Sequence, residues 1–406
     1  LRRLLCDAAD PQCQKPLESV RPGQEFYLEF QLENKGEEPL SRVYGVLRSP
    51  AEFLDGHEYL YGVIAPGKSF SWRTRLKAPH YTASGVEPYQ LEVFEQGRGR
   101  IAEFKGNLQM EDIGRPLFAF SFALNEENGN GDSIAQDGET FLLHMKVKNI
   151  GDGAAQKPMS ILRNQGDKRM FLIDGRVQHD KLEFGQETWA TMKYRIQAGK
   201  KLSAELAVFD SDFSETVARR FDLPAGDPVE GTFGSFVTQL ASDTEVFQDA
   251  RMSGLRLARA AGWFEAVGRY GKSCRIKLGD RIYGFAACDA RTDAPSARPA
   301  PQVEWVSHVV PPRIQILTRP ESLTQKDVVR ISGKVTHPES IKDFYVITSN
   351  FKSDKPKQKV FYAPGKGSEL SFEVDVPVQP GLNQILLVAR HDKDLAGRIL
   401  LSVVRE

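Results

Sequence analysis

A stretch of alternating apolar and polar residues occurs twice in this sequence, and the repeat constrains the fold more than any other feature. Residues 23–36 read GQEFYLEFQLENKG, and residues 138–151, which begin 115 positions later, read GETFLLHMKVKNIG. Alternation with a period of two is typical of a β-strand that has one buried face and one solvated face. Each copy ends in Asn-x-Gly, and because Asn and Gly both tolerate positive φ we predict a tight turn at each of these ends.

The repeat extends beyond this first strand. LEVFE at 91–95 returns as LAVFD at 206–210 with the same spacing, and APGKSFSW at 65–72 has a shifted counterpart in FGQETWA at 184–190. Strands that recur in one order indicate a duplicated domain. Because the strands are about ten residues apart and turn residues separate them, we predict an all-β fold in which each copy is an antiparallel β-sandwich. The two copies are expected to span residues 16–110 and 116–224.

The remainder of the chain divides into two further units. GRYGKSCRIKLGDRIYGFAACDA at 268–290 contains two short strands around a turn, and it is the predicted core of a smaller unit that spans 231–290. Residues 291–311 are rich in Pro and Ala and are predicted to be a linker. Alternation resumes beyond it, so residues 312–406 are predicted to form another antiparallel sandwich. Residues 1–15 are left as an N-terminal extension.

Composition and motifs argue against several classes of function. Lys+Arg and Asp+Glu each number 54, so no net charge would draw the chain to nucleic acid or to an acidic membrane. No apolar run approaches the roughly 18–20 residues that span a bilayer, so no transmembrane segment is predicted. The sequence contains no GxSxG, HExxH or P-loop motif, and its seven histidines are scattered. We therefore predict that this chain is not itself an enzyme, with no catalytic residue.

The four cysteines form two local pairs, Cys6 with Cys13 and Cys274 with Cys288. Neither pair has the Cys or His spacing of a tetrahedral zinc site, so two disulfides are favoured, with two pairs of free thiols as the alternative. Disulfides persist in oxidising compartments, which predicts an exported protein of the periplasm or cell envelope. The chain begins at Leu1 rather than Met, and we expect it to be a piece or a processed form of a longer product.

Individual segments resemble known modules. The strand ends LENKG and VKNIG and the strand opening APGKSFSW resemble those of the immunoglobulin-like modules called CARDB, which occur in bacterial surface and periplasmic proteins. The unit at 231–290 resembles a bacterial Src-homology-3-like barrel, whose last hairpin is matched by Gly284 and Phe285. PGLNQILLVARHDKD, near the end of the chain, resembles the closing strands of bacterial immunoglobulin-like domains.

The order of these modules resembles the C-terminal, non-catalytic region of carboxy-terminal processing (tail-specific) proteases from deltaproteobacteria. The resemblance covers nearly all of 16–406 and implies a PDZ domain and a serine protease domain with a Ser/Lys dyad upstream of Leu1. It implies a scaffold that recruits protein substrates or envelope proteins in the periplasm. The alternative is an envelope adhesion or peptidoglycan-binding protein that acts without a protease domain.

One segment has the spacing of a calcium-binding loop. Laid on the twelve-residue template, NGNGDSIAQDGE at 128–139 has two ligand carboxylates, and Ser133 stands where the template has Gly. A Gly/Asn turn that leads into the strand at Phe141 is the favoured interpretation, with no cofactor, and calcium binding is the alternative. Calcium is the one cofactor that the sequence suggests. Its predicted ligands are Asn128, Asn130, Asp132, the carbonyl of Ile134, and Glu139.

Aromatic residues of the small unit are the remaining candidates for a binding surface. Trp263 and three residues of the predicted hairpin region, Tyr270, Tyr283 and Phe285, could contact a ligand through their rings. The other tryptophans, Trp72, Trp189 and Trp305, lie in strand-like segments and are predicted to pack in cores.

Overall fold

The computed structural model describes residues 1–406 except 11, 166–168, 198–201, 214, 289–298, 307 and 351–356. The described residues form 29 β-strands and no helix, which confirms the all-β prediction. No helix that could cross a membrane occurs among them. The chain folds into two compact units, and the first combines the beginning and the end of the sequence. The first unit comprises Leu1–Gly114, Pro312–Asp392 and Ala396–Glu406, and the second comprises Arg115–Pro311 and Lys393–Leu395.

The first sandwich packs a three-stranded sheet, in the order β1-β3-β6, against a five-stranded sheet, in the order β2-β8-β7-β4-β5. The alternation of the repeat places Phe26, Leu28 and Phe30 in the core between the sheets. β1 lies within the predicted N-terminal extension and pairs with β3, where Leu5 lies opposite Leu28. The strands are β1 (Arg2–Asp7), β2 (Ser19–Val20), β3 (Glu25–Glu33), β4 (Leu40–Arg48), β5 (Glu58–Ile64), β6 (Ser69–Lys77), β7 (Gly85–Glu95) and β8 (Gly99–Met110).

The second sandwich repeats this plan with four strands in each sheet, in the orders β12-β14-β10-β9 and β13-β11-β15-β16. Phe141, Leu143 and Met145 of the repeated stretch are buried in its core, as the alternation predicts. Its strands are β9 (Phe118–Asn128), β10 (Thr140–Asn149), β11 (Pro158–Asn164), β12 (Met170–Asp174), β13 (Arg176–Gln178), β14 (Glu187–Ile196), β15 (Leu202–Asp210) and β16 (Glu215–Leu223).

The repeated asparagine acts as a buried hydrogen-bonding group, and our explanation by positive φ is wrong. Neither Asn34 nor Asn149 has positive φ. Asn34 is 3 % exposed; its amide donates to the carbonyls of Glu38 and Ile64, at 2.8 and 2.9 Å. Asn149 donates to the carbonyls of Gly153 and Leu182 in the same way, at 2.7 and 3.0 Å. The motif is repeated because each sandwich needs an amide that satisfies buried carbonyls at the end of this strand.

The small unit is a five-stranded antiparallel sheet in the order β17-β20-β19-β18-β21, and an additional pairing of β17 with β18 closes it on itself. β21 lies inside the stretch that the sequence predicts as a linker, because Val303 and Trp305 pack against the apolar core of this sheet. Both predicted disulfides are present, Cys6–Cys13 and Cys274–Cys288. The strands are β17 (Thr232–Phe247), β18 (Arg256–Tyr270), β19 (Ser273–Gly279), β20 (Ile282–Ala287) and β21 (Gln302–Trp305).

The last sandwich has sheets in the orders β22-β24-β27 and β23-β29-β28-β25-β26, and it packs against the first sandwich within the first unit. Val86 of the first sandwich forms a buried cluster with Leu382 and Val404 of the last one. Gly85 has no side chain, and a Cβ there would lie 2.3 Å from the carbonyl oxygen of Ser402. The strands are β22 (Arg313–Thr318), β23 (Leu323–Thr324), β24 (Val328–Thr336), β25 (Asp343–Asn350), β26 (Gln358–Pro364), β27 (Glu369–Pro377), β28 (Gly381–Arg390) and β29 (Ala396–Arg405).

Candidate functional site

The segment with calcium-loop spacing connects β9 to β10, and its oxygen atoms accept backbone hydrogen bonds. Asp132 is fully buried; its carboxylate accepts the N–H groups of Ile134 and Val229, both at 2.7 Å. The Asn128 side chain accepts the Thr140 N–H at 2.6 Å, and the Asn130 side chain accepts the Asp132 N–H at 3.0 Å. The Glu139 carboxylate accepts the Gln136 N–H at 2.8 Å. These bonds hold the loop in one conformation, and calcium binding stays a prediction.

Sequence analysis missed Glu126, the acid that organises this loop, because it lies outside the twelve-residue template. Its carboxylate accepts the N–H groups of Gly131, at 2.6 Å, and of Ser133. Burial, with smaller contributions from the nearby carboxylates of Glu139 and Asp132, raises the pKa of Glu126 to about 7. Among the residues that the structure describes, no three His, Cys, Asp or Glu side chains are arranged to hold a metal ion.

The aromatic candidates of the small sheet differ in exposure. Tyr270 and Phe285 are buried, with ring centroids 5.6 Å apart in an edge-to-face arrangement. The Tyr270 hydroxyl donates to the carbonyl of Asn130 at 2.8 Å, which ties the small sheet to the β9–β10 loop. The guanidinium carbon of Arg275 lies 4.6 Å from the centroid of the Tyr283 ring. Trp263 is half-buried. Their role in binding stays a prediction.

A serine–histidine pair that sequence analysis did not identify lies inside the second sandwich. Ser160 Oγ is 2.8 Å from His179 Nε2, and Thr188 Oγ1 is 3.4 Å from Nδ1. A nucleophilic serine needs an orienting group on its histidine and access to substrate. Here the orienting position holds a hydroxyl, and Ser160 is fully buried. Burial lowers the pKa of His179, so the neutral ring acts as a structural hydrogen-bonding group.

A cleft of about 610 Å³ lies between the first and the last sandwich, inside the first unit. Tyr89, Leu382 and Val404 contribute to its lining. The cationic side chains on its rim already have carboxylate partners, since Arg48 Nε is 3.8 Å from Glu92 and Lys105 Nζ is 3.5 Å from a neighbouring glutamate. Because the lining also includes the acidic residues Asp55 and Glu406, the cleft carries charges of both signs and does not define the charge of a ligand.

Two tryptophans lie at the surface, so the prediction that they pack in cores is wrong. Trp72 is 37 % exposed and Trp189 is 41 % exposed. Trp189 meets Trp305 edge-on, with ring centroids 5.6 Å apart. Trp72 lies opposite the buried Phe30, on the core-facing side of β6, whereas Trp189 lies opposite Lys146, on the outer side of β14.

β6 is the last strand of its sheet, and it presents both apolar and basic side chains to solvent. Phe70 is 43 % exposed, on the same face as Trp72. The opposite face carries three exposed cations, Arg73, Arg75 and Lys77. The cations at alternate positions of WRTRLK indicate which face of the strand is solvated, but not that the strand is the outermost one. The only strand that pairs with β6 among the described residues is β3.

The second sandwich covers part of the equivalent edge, because β12 pairs with residues 193–196 of β14. β14 pairs with β10 as β6 pairs with β3, and β12 then pairs antiparallel with the outer side of β14. Met170 and Leu172 of β12 face the core, whereas Phe171 and Ile173 are 55 % and 50 % exposed. The two copies thus have the same strands in the interior and different strands at this edge.

No protein-family model and no curated protein matches this chain. Several solved structures show a weak similarity. A protein of unknown function from Porphyromonas gingivalis W83 is 14 % identical, over 52 % of this chain and 94 % of that chain, with a TM-score of 0.18. Dimeric latent PorU from Porphyromonas gingivalis is 11 % identical over 100 % of this chain but only 34 % of that chain, with a TM-score of 0.19. The C-terminal domain of the Streptococcus agalactiae AgI/II polypeptide BspA is 8 % identical over 55 % of this chain and 99 % of that chain, with a TM-score of 0.22. Similarities of this size assign no function.

Proposed function

We propose that this chain is a non-catalytic scaffold that binds other proteins. The observation that carries the proposal is the exposure of large apolar side chains along outermost strands, Phe70 and Trp72 on β6 and Phe171 and Ile173 on β12. Surface apolar groups that follow a strand edge are typical of sites where an extended polypeptide adds to a sheet. In such sites the backbone supplies affinity and the alternate side chains supply specificity.

We further propose that the scaffold serves a periplasmic carboxy-terminal processing serine protease, whose catalytic residues lie in another part of the parent protein. The order of modules along the sequence supports this assignment. The two disulfides fit an exported protein. Its partners are then protein substrates or envelope proteins, held at fixed spacing by rigid sandwiches.

The test is an array of extended peptides probed with the whole 406-residue chain. Each peptide is matched by a control in which proline replaces alternate residues, because proline removes the N–H that a strand ladder requires. We expect a subset of peptides to bind and their proline controls to fail. Absence of binding to every peptide, together with cosedimentation with purified peptidoglycan sacculi, would overturn the proposal in favour of an envelope-binding protein.

A further inference from the structure

We infer that the outer edge of β6 binds an extended segment of another protein as an added antiparallel strand, and that this segment alternates apolar with acidic residues. The inference rests on the proposed function, because it names the site and the partner chemistry of a chain that binds proteins. Three observations carry it: the free edge, the covered edge of the second copy, and the charge of the strand.

β6 has the backbone groups that a new strand requires. In an antiparallel sheet, alternate N–H and C=O groups of an outermost strand point away from its neighbour. β6 is nine residues long and pairs with β3 from Glu33–Ser69 to Glu25–Lys77. Long edges of this kind are commonly shortened, bulged or covered, because they template further pairing. The part of the chain that the structure describes places no strand on this side of β6.

The second sandwich shows what such a strand looks like when the chain supplies its own. β12 pairs with β14 so that Met170 lies opposite Ile196 and Leu172 lies opposite Tyr194. These two side chains of β12 pack against the core, while the intervening residue points to solvent. A strand added to β6 would place its alternate apolar side chains beside Phe70 and Trp72 in the same manner.

The first sandwich uses the corresponding part of its chain differently. Between β4 and β6 the chain forms turns around the buried Leu54 and then a single strand, β5, which pairs with β4 in the opposite sheet. β5 also exposes Leu60 and Val63, at 48 % and 67 %. The open flank of the first sandwich therefore carries apolar side chains on both of its outermost strands.

The charge of β6 selects the partner. Arg73, Arg75 and Lys77 lie on one face of the strand and are all exposed. Arg75 pairs with Glu25 at 2.5 Å, and Arg73 lies over the Tyr27 ring at 4.8 Å. Exposed pairs of this kind are weak, so an acidic partner strand can compete for these cations. Acidic residues at alternate positions of the added strand would complement this row, and basic residues would be repelled.

The test uses a fluorescent nine-residue peptide, VEVEVEVEV, whose length matches that of β6. Binding to the whole chain is measured by fluorescence anisotropy, beside the VKVKVKVKV peptide. We expect the glutamate peptide to bind at least about tenfold more tightly, since like charges across an interface are strongly unfavourable. Trp72→Ser is expected to weaken its binding about tenfold or more, as truncation of an interface tryptophan typically does.

Matched controls come from the second sandwich. Trp189→Ser removes a comparably exposed tryptophan from β14, outside the β6 edge, and should leave the affinity unchanged. Arg73→Glu should weaken binding, whereas Arg195→Glu on β14 should not. All four side chains are exposed, and thermal unfolding of each variant checks that it folds.

The outcomes separate this inference from the proposed function. If array peptides bind the chain but Trp72→Ser and Trp189→Ser have the same affinity, the assignment of the binding site to the β6 edge is overturned. The protein-binding function then still stands. Equal affinity for the glutamate and lysine peptides would overturn the partner chemistry. Self-association that Trp72→Ser abolishes would show that a second copy of this chain occupies the edge, and would overturn an external partner. If no array peptide binds at all, the proposed function itself fails.

Discussion

An informative difference between the two copies of the duplicated sandwich lies at the edge formed by β6 in the first and by β12 and β14 in the second. In the second copy β12 covers β14, whereas in the first copy the equivalent strand, β6, is itself the last strand. The interior strands, the buried asparagine and the core alternation are the same in both. The comparison teaches that the repeated motif specifies the core of a sandwich, while the segment between the repeated strands decides whether its edge is open.

The physical origin of the difference lies in that segment. In the second copy β12 ends at Asp174 and β13 begins at Arg176, so the chain crosses from one sheet to the other at Gly175. A Cβ at Gly175 would lie 3.0 Å from the carbonyl oxygen of Leu162, which explains why glycine suits the crossing. In the first copy a buried leucine anchors turns in this segment, and only one strand forms.

The largest effect on the free energy of unfolding is expected from removal of the asparagine that the two copies share. Asn149→Ala removes the donor to the Gly153 carbonyl and the acceptor of the Gly151 N–H, while the Leu182 carbonyl keeps its bond from the Ala155 N–H. Asn34→Ala removes the donor to the carbonyls of Glu38 and Ile64 in the first copy. Because each orphaned buried group costs about 1–3 kcal/mol, each substitution should lower the free energy of unfolding by roughly 2–4 kcal/mol. Calorimetry of the whole chain measures both. A loss from only one of the two substitutions would break the equivalence of the copies.

A somewhat smaller effect on the free energy of unfolding is expected from a change in pH, and its sign is the same in both copies. Burial raises the pKa of Glu87 in the first copy to about 7, as it does for Glu126 in the second. The folded state therefore holds a proton that the unfolded chain releases near its ordinary pKa of 4.5. Stability then falls as pH rises from about 4.5 to about 7, by roughly 2–3 kcal/mol for one such group, and is level above that.

Glu87→Gln tests this linkage. The substitution keeps the shape of the side chain and removes its titration, so the decline in the free energy of unfolding between pH 4.5 and 7 should lessen. Thermal unfolding of the whole chain across this pH range, with Glu92→Gln on the solvent side of the same strand as control, measures the change. An unaltered pH profile would count against a buried, protonated Glu87.

One substitution should turn the covered edge of the second sandwich into an open edge. Phe171→Pro removes an N–H that faces β14, because the Gln197 N–H donates to the Arg169 carbonyl and bonded pairs recur every second residue along this ladder. The substitution should detach β12 from β14, at a cost of about 1–3 kcal/mol. The second sandwich should then resemble the first, and amide hydrogen exchange along β14 should accelerate. Leu172→Pro, one residue later, serves as the comparison because its N–H points away from β14. Unchanged exchange along β14 would show that β12 does not protect this edge.

The smallest effect is expected from Trp72→Ser. A tryptophan in a core costs about 3–5 kcal/mol when truncated, whereas surface substitutions usually lie within about 0.5 kcal/mol. Because Trp72 is at the surface, its loss should change the free energy of unfolding by less than about 1 kcal/mol. Denaturant titration of the variant measures this. A loss in the free energy of unfolding as large as that of a core tryptophan would show that Trp72 packs in the core and is not an exposed side chain of the edge.

Much of the site was beyond prediction from sequence, for reasons that particular residues make plain. The calcium template selected Asp132 and Glu139 by spacing, but Glu126, which precedes the template, holds the loop. Trp72 looked like a core residue because strand periodicity cannot distinguish a strand inside a sheet from one at its edge. Exposure at an edge depends on which other segment covers it, and that pairing is not local in sequence.

The sequence by itself determined the all-β fold, the duplication and the two disulfide pairs. Alternation with a period of two is a local property of the chain, and the cysteines of each pair are only 7 and 14 residues apart. Only the tertiary structure decided that the first and last sandwiches share a unit, that the repeated asparagines satisfy buried carbonyls, and that β6 is an open edge. These features depend on contacts between segments that are far apart in the chain, where packing and hydrogen-bond satisfaction, rather than local periodicity, select the partner.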